Sequence, residues 1–184
     1  GAGMVVLAGS LCAIGLPMSA ENHGLSYLPI DEDHPCRPNH AYDLSKRLNE
    51  LTAETFSRLS GVPTICLRFP ALIDVRHDQW FAREIRSSSP KLVLGDYLDF
   101  SDAVSAIDVA LYRRDLKHEV LFINAETIGA ATPTPEYLQR FNPRLEWRGP
   151  APTATTPLIN CARLKRVLDF APAVTWQQGL VETE

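Results

Sequence analysis

Tyr42-Asp43-Leu44-Ser45-Lys46 sets a phenol and an ammonium four residues apart. On an α-helix that spacing puts both side chains on one face, one turn from each other. A free tyrosine has a pKa near ~10 and is a poor base at neutral pH. A neighbouring cation favours the phenolate and brings that value down. Such a pair can pass a proton to or from an alcohol while hydride moves to or from a nicotinamide. Alone the spacing is common by chance, and an exposed helix with an unremarkable Tyr and Lys reads the same way. Ser10 supplies a third group. It closes an apolar run, residues 4–8, at the C-terminal end of an expected parallel strand, where open α/β sheets place ligands. Its hydroxyl can hydrogen-bond a substrate oxygen, although a serine in a strand-ending turn is equally ordinary.

The elements that must position these groups are legible. Residues 4–8 read as a strand buried on both faces. A polar, proline-rich loop follows over 17–39, and its segment 29–35 suits no regular structure. A helix is expected over 41–60, where Leu44, Leu48, Leu51 and Leu59 recur near helical spacing and Gly61 is a stop. Residues 63–69 then read as a second buried strand closed by Pro70. Strand, crossover helix, strand is the βαβ unit of a parallel α/β sheet. Beyond Asp74 the pattern predicts helices near 79–86, 102–113, 135–141 and 161–168, and strands at 92–94 and 120–123. In the helix over 102–113, Val104, Ile107 and Leu111 are expected to face inward. Asn160 is the expected cap of the last helix, and 143–157, with four prolines, reads as loop.

Bulk composition narrows the function. The 184 residues are 45% hydrophobic and 22% charged, an ordinary soluble balance that can bury a core. A net charge of −4 and the lack of any basic run argue against nucleic acid and acidic membranes as partners. No stretch approaches the length of a membrane span. Cys12, Cys36, Cys66 and Cys161 are widely spaced, which fits a reducing, cytoplasmic setting better than a disulfide scaffold. His34, Cys36 and His40 are close in sequence, but their spacing suits no closed zinc site, so no metal is expected. Arg76, Arg83 and Arg86 read as a solvated basic face rather than an anion clamp, and Asp31, Glu32 and Asp33 as a solvated loop.

Taken together, residues 5–15, the segment 29–35, Tyr42-Asp43-Leu44-Ser45-Lys46 with Glu50, Leu67-Arg68-Phe69-Pro70, residues 97–103 and the closing stretch 164–172 resemble, in order, the extended short-chain dehydrogenase/reductases of the NAD-dependent epimerase/dehydratase type. The resemblance implies an α/β fold: a partial Rossmann-like parallel sheet with a small C-terminal substrate lobe. Residues 1–75 would hold the second half of the dinucleotide domain, and 76–184 mostly the substrate lobe. It implies catalytic roles for Ser10, five residues before Gly15, and for Tyr42 and Lys46. Tyr42 and Lys46 would also meet the cofactor, with Pro70, Ala71 and Leu72 lining the nicotinamide face. The implied cofactor is NAD or NADP, and the implied substrate a sugar nucleotide or related small molecule. A homodimer through the helix bearing Tyr42 would follow family habit. A simple carbonyl reductase is an enzymatic alternative.

Three departures stand out. Gly9 occupies a position where the family often has a second serine. Leu168-Asp169 replaces the usual Leu-Gly helix end, which strains a left-handed cap. The family's G-x-x-G-x-x-G turn is missing, and Gly1-Ala2-Gly3 cannot replace it because it precedes a strand. By family order roughly 100 residues lie upstream, at about 30 per βαβ unit. The 184-residue chain by itself is therefore expected to bind a dinucleotide weakly and to be inactive, and a cofactor-incompetent fragment or interaction module is the non-enzymatic alternative.

Overall fold

The computed structural model describes residues 1–16, 25–87, 92 and 94–180. Three parallel strands form its main sheet in the order β1 (Val5–Ala8), β3 (Thr64–Arg68), β6 (His118–Phe122). Register pairs Ala8 with Leu67 and Leu67 with Leu121. All five residues of β3 are buried, as befits a central strand covered on both faces. Helix α1 (Ala41–Ser60) makes the crossover from β1 to β3 and packs on β3 and β6. It ends where expected, with Gly61 in the left-handed region at φ 73° and its N–H on the Ser57 carbonyl.

Two small parallel pairs extend the scaffold: β2 (Tyr27–Leu28) with β7 (Glu146–Trp147), and β4 (Leu72–Ile73) with β5 (Leu98–Asp99). None of the four follows from hydrophobic pattern, because two-residue strands are too short to show a period. Helices α2 (Gln79–Ile85), α3 (Phe100–Leu111), α4 (Thr134–Phe141), α5 (Ala162–Leu168) and α6 (Trp176–Leu180) complete the fold. One apolar core joins residues from both halves, among them Leu11, Ile65, Leu67, Ala106, Leu121 and Leu164. Among the described residues, no helix is long and apolar enough to cross a membrane.

Three expectations need correction. The strand over 92–94 does not form: Leu92 lies in a bend and Leu94 in a turn, while Val93 is outside the described residues. The Leu92 N–H goes to the Glu84 carboxylate at 3.0 Å, and Gly95, at φ 55°, turns the chain back onto the Leu92 carbonyl. The inward face of α3 is the opposite of the expected one. Val104, Ile107 and Leu111 are 66%, 36% and 43% exposed, while Asp102, Ala103, Ala106 and Ala110 are buried. Small alanines let the helix approach closely, which the bulkier residues would prevent. The loop over 143–157 includes β7. Of the loop over 17–39, residues 17–24 fall outside the described residues.

The last helix shows how side chains override simple rules. Asn160 Oδ1 accepts the Ala162 N–H at 2.9 Å, a capping bond made one residue ahead of the helix boundary at Cys161. At the other end Asp169 takes the left-handed conformation at φ 53° and its N–H bonds the Lys165 carbonyl. An aspartate thus does the work the resemblance assigns to glycine.

Candidate active site

The C-terminal ends of β1 and β3 carry the site residues. After Ala8 the chain runs through Gly9 and Ser10 into a 3-10 turn, Leu11–Ile14. A Cβ on Gly9 would sit 2.8 Å from the Leu67 carbonyl oxygen, so the backbone of β3 excludes a serine there. Ser10 is extended, at φ −149° and ψ 144°, and its Oγ accepts the Cys12 N–H at 3.1 Å. That bond occupies an acceptor site and leaves the hydroxyl proton for another partner. The Leu11 N–H bonds the Phe69 carbonyl at 2.9 Å, tying this turn to the segment that follows β3.

Gly15, at φ 83°, ends the turn. A Cβ there would lie 1.8 Å from the Arg37 carbonyl oxygen, and the Arg37 N–H bonds the Ile14 carbonyl at 2.9 Å. The close approach brings the loop before α1 against the turn after Ser10, and α1 itself packs on that turn. Tyr42 and Lys46 stand in the first turns of α1. The Lys46 ammonium donates to the Ala8 carbonyl at 3.1 Å and lies 5.6 Å from the centroid of the Tyr42 ring. Tyr42 is 55% exposed, so a solute can reach its ring. The structure thus gathers Ala8, Lys46 and Tyr42, with Ser10 two residues further along the same chain end.

Beyond β3, Pro70 and Ala71 are half-buried and Leu72 is exposed. The Ala71 carbonyl accepts the Leu98 N–H at 2.9 Å. The segment is held from below by Asp96, a buried acid with no mark in the sequence pattern. The Asp96 carboxylate takes backbone N–H donation from Leu94 and Ala71, but burial outweighs those bonds and pushes it up to about 6. Burial likewise pushes the Cys12 thiol up.

The other candidates are engaged elsewhere. His34 Nε2 accepts the Ser26 N–H at 2.9 Å and Nδ1 donates to the Pro35 carbonyl at 3.0 Å, which fixes its tautomer. Burial lowers its pKa, keeping the ring neutral. Cys36 Sγ receives Arg68 Nη2 at 3.3 Å. Among the described residues, no cluster of three or more His, Cys, Asp or Glu is placed to hold a metal ion. Glu32 accepts the Phe122 N–H of β6 at 2.8 Å and so satisfies an edge donor of the sheet, which a solvated loop would not do.

No family model matches the chain. A protein of Methanocaldococcus jannaschii described as "Putative UDP-glucose 4-epimerase" is 28% identical across 68% of this chain and 44% of its own length. Among solved structures, MoeE5 in complex with UDP-glucuronic acid and NAD superposes with a TM-score of 0.61 at 19% identity, over 97% of this chain and 62% of that one. A short-chain dehydrogenase/reductase superfamily protein from Agrobacterium tumefaciens with bound NAD gives 0.63 at 17% identity, over 97% and 65%. These solved structures therefore share the fold of this chain, helices packed around a parallel sheet. The sequence similarity is to the Methanocaldococcus jannaschii protein described as a UDP-glucose 4-epimerase. The chain spans less than half the length of the curated relative it matches and under two thirds of these solved structures.

Proposed function

We propose that these residues form the acid–base and nicotinamide-facing part of an NAD(P)-dependent epimerase, dehydratase or dehydrogenase acting on a UDP-sugar or a related small molecule. The observation that carries the reading is the Lys46 ammonium, held on the Ala8 carbonyl beside the Tyr42 ring at the C-terminal ends of β1 and β3. Tyr42 is the general acid/base, moving a proton between its oxygen and a substrate hydroxyl. Lys46 favours the charged phenolate by proximity. Ser10 donates its free hydroxyl proton to the same substrate oxygen, since its own oxygen is fixed by the Cys12 N–H.

Pro70, Ala71 and Leu72 offer a short apolar surface at the end of the neighbouring strand, which suits the face of a nicotinamide ring. Tyr42 and Lys46 would hold the adjoining ribose. When bound, the dinucleotide supplies the hydride acceptor and donor. The test is turnover with NAD and UDP-glucose in the complete protein. Tyr42→Phe lowers kcat by about 10²–10⁴-fold, the range for loss of a general acid/base, and leaves the fold intact. Unchanged turnover in that variant would exclude the role.

A second observation bears on assembly. Leu44, Leu48, Leu51, Phe56 and Leu59 are exposed along α1. An apolar stripe of this kind on a helix bearing the active-site pair is read here as the face through which two copies associate. Leu48→Glu, measured by light scattering, converts such a dimer to a monomer.

A further inference from the structure

Glu50 stands four residues after Lys46 on the inward face of α1. At that spacing Lys and Glu side chains meet across one helical turn. Here they do not pair. Lys46 reaches the Ala8 carbonyl, and Glu50 is taken by guanidinium groups. Arg68 Nε donates to Oε1 at 2.7 Å and Arg68 Nη2 to Oε2 at 3.0 Å, while Arg47 Nη1 adds 2.8 Å on Oε2. Glu50 is 1% and Arg68 2% exposed.

We propose that Arg68 is a positioning residue for the Tyr42–Lys46 pair: by holding both carboxylate oxygens of Glu50 it keeps that acid off Lys46, and so reserves the ammonium for the Ala8 carbonyl and the phenol. The inference rests on the acid–base reading of Tyr42 and gives the buried pair a part in it. The registry supports it. Ala8 and Leu67 are paired across β1 and β3, so Lys46 is pinned to one strand at the level where Glu50 is pinned to its neighbour through Arg68. One face of α1 is thereby fixed on two adjacent strands.

The remaining charges do not replace Arg68. From β3, the Cys66 thiol faces Glu50, and burial pushes it up to about 12, so it stays neutral. From β6, burial lowers His118, whose Nδ1 meets Thr64 Oγ1 at 2.7 Å. From the turn after β1, Cys12 faces Asp43 and is also raised by burial. On α1 itself stand Asp43, Arg47 and Glu54. Without Arg68, Glu50 keeps one cation, Arg47, on a partly exposed side chain. Its charge then acts on Lys46 across one turn and offsets the ammonium that the phenol needs.

The test needs no substrate. Ring-labelled tyrosine is followed by NMR as pH rises, at low salt, with the Tyr42 signal assigned through Tyr42→Phe. The apparent midpoint of Tyr42 in Arg68→Gln is expected above that of the unaltered protein. Glu50→Gln/Arg68→Gln returns it, because the freed charge is gone. Arg68→Lys, which keeps a cation but loses the two-pronged grip, falls between. If Arg68→Gln does not fold, Arg68→Lys against the unaltered protein decides. Equal midpoints in that comparison overturn the proposal, and so does a raised midpoint that persists in the double variant. Loss of turnover in Tyr42→Phe with unmoved midpoints removes the role of Arg68 alone; full turnover in Tyr42→Phe removes the acid–base reading beneath it.

Discussion

Helices α1 and α3 both flank the main sheet, and both turn their largest apolar side chains outward, yet they are held by different physics. The buried face of α1 is mostly polar: Asp43, Glu50 and Ser57 lie there beside Ala53, flanked by the half-buried Lys46 and Arg47, and Glu50, Lys46 and Ser57 are fixed by bonds to Arg68, the Ala8 carbonyl and the Lys117 carbonyl. The inward face of α3 is made of Ala103, Ala106 and Ala110, with Asp102 as its single acid. That acid receives the N–H groups of Ala173 and Val174 at 2.9–3.1 Å. Close packing of small alanines, with one charged anchor, seats α3, whereas buried charge carries most of the seating of α1. Directional bonds of this kind hold a helix against sliding and rotation, which the acid–base role proposed for Tyr42 and Lys46 would require.

The contrast can be broken at its strongest point. Glu50→Ala leaves the Arg68 guanidinium buried without its partner, and breaking a buried pair this way costs about 3–5 kcal/mol. Chemical denaturation should show that loss; a loss below about 1 kcal/mol would mean that α1 is not seated by charge. Asp96 sharpens the point, because it is a buried acid held by N–H donors and not by a cation. Its folded-state value of about 6 lies above the ordinary 3.8. Its stabilising contribution is therefore full below pH 3.8 and lost as pH rises through about 6, at most about 3 kcal/mol. Asp96→Asn should gain thermal stability relative to the unaltered protein at pH 7.5 and not at pH 4. The same gap at both values would contradict the assignment.

On α3 the expected effects are steric. Ala106 is fully buried, and Ala106→Leu should cost about 1–3 kcal/mol by overpacking. Val104→Ser, on the outward face, should stay within about 0.5 kcal/mol. If Val104→Ser proved the more damaging of the two, the observed orientation of α3 would be wrong.

The same contrast explains what was legible in the sequence. The βαβ order, the ends of α1 at Ala41 and Gly61, and the nearness of Tyr42 to Lys46 depend on local spacing and chain order, and these were readable. The orientation of α3 was not. Hydrophobic periodicity marks the bulkier stripe, Val104, Ile107 and Leu111, whereas alanine spacing marks the side that approaches the sheet. Glu50 and Arg68 were visible as parts of a family pattern, but their bond joins residues 18 apart and needed the fold. Asp96 had no signal, since one aspartate before Tyr97 looks like any turn residue. Gly9, where the resemblance implies a serine, became intelligible only through the approach of Leu67.

The central claim is that Tyr42 and Lys46 act as one acid–base unit. A double-mutant cycle on kcat tests it most directly, using Tyr42→Phe, Lys46→Met and the two together in the complete protein. The account predicts that the double variant is about as slow as the slower single one, because a unit can be disabled only once. Losses that multiply would show two independent contributions and contradict it.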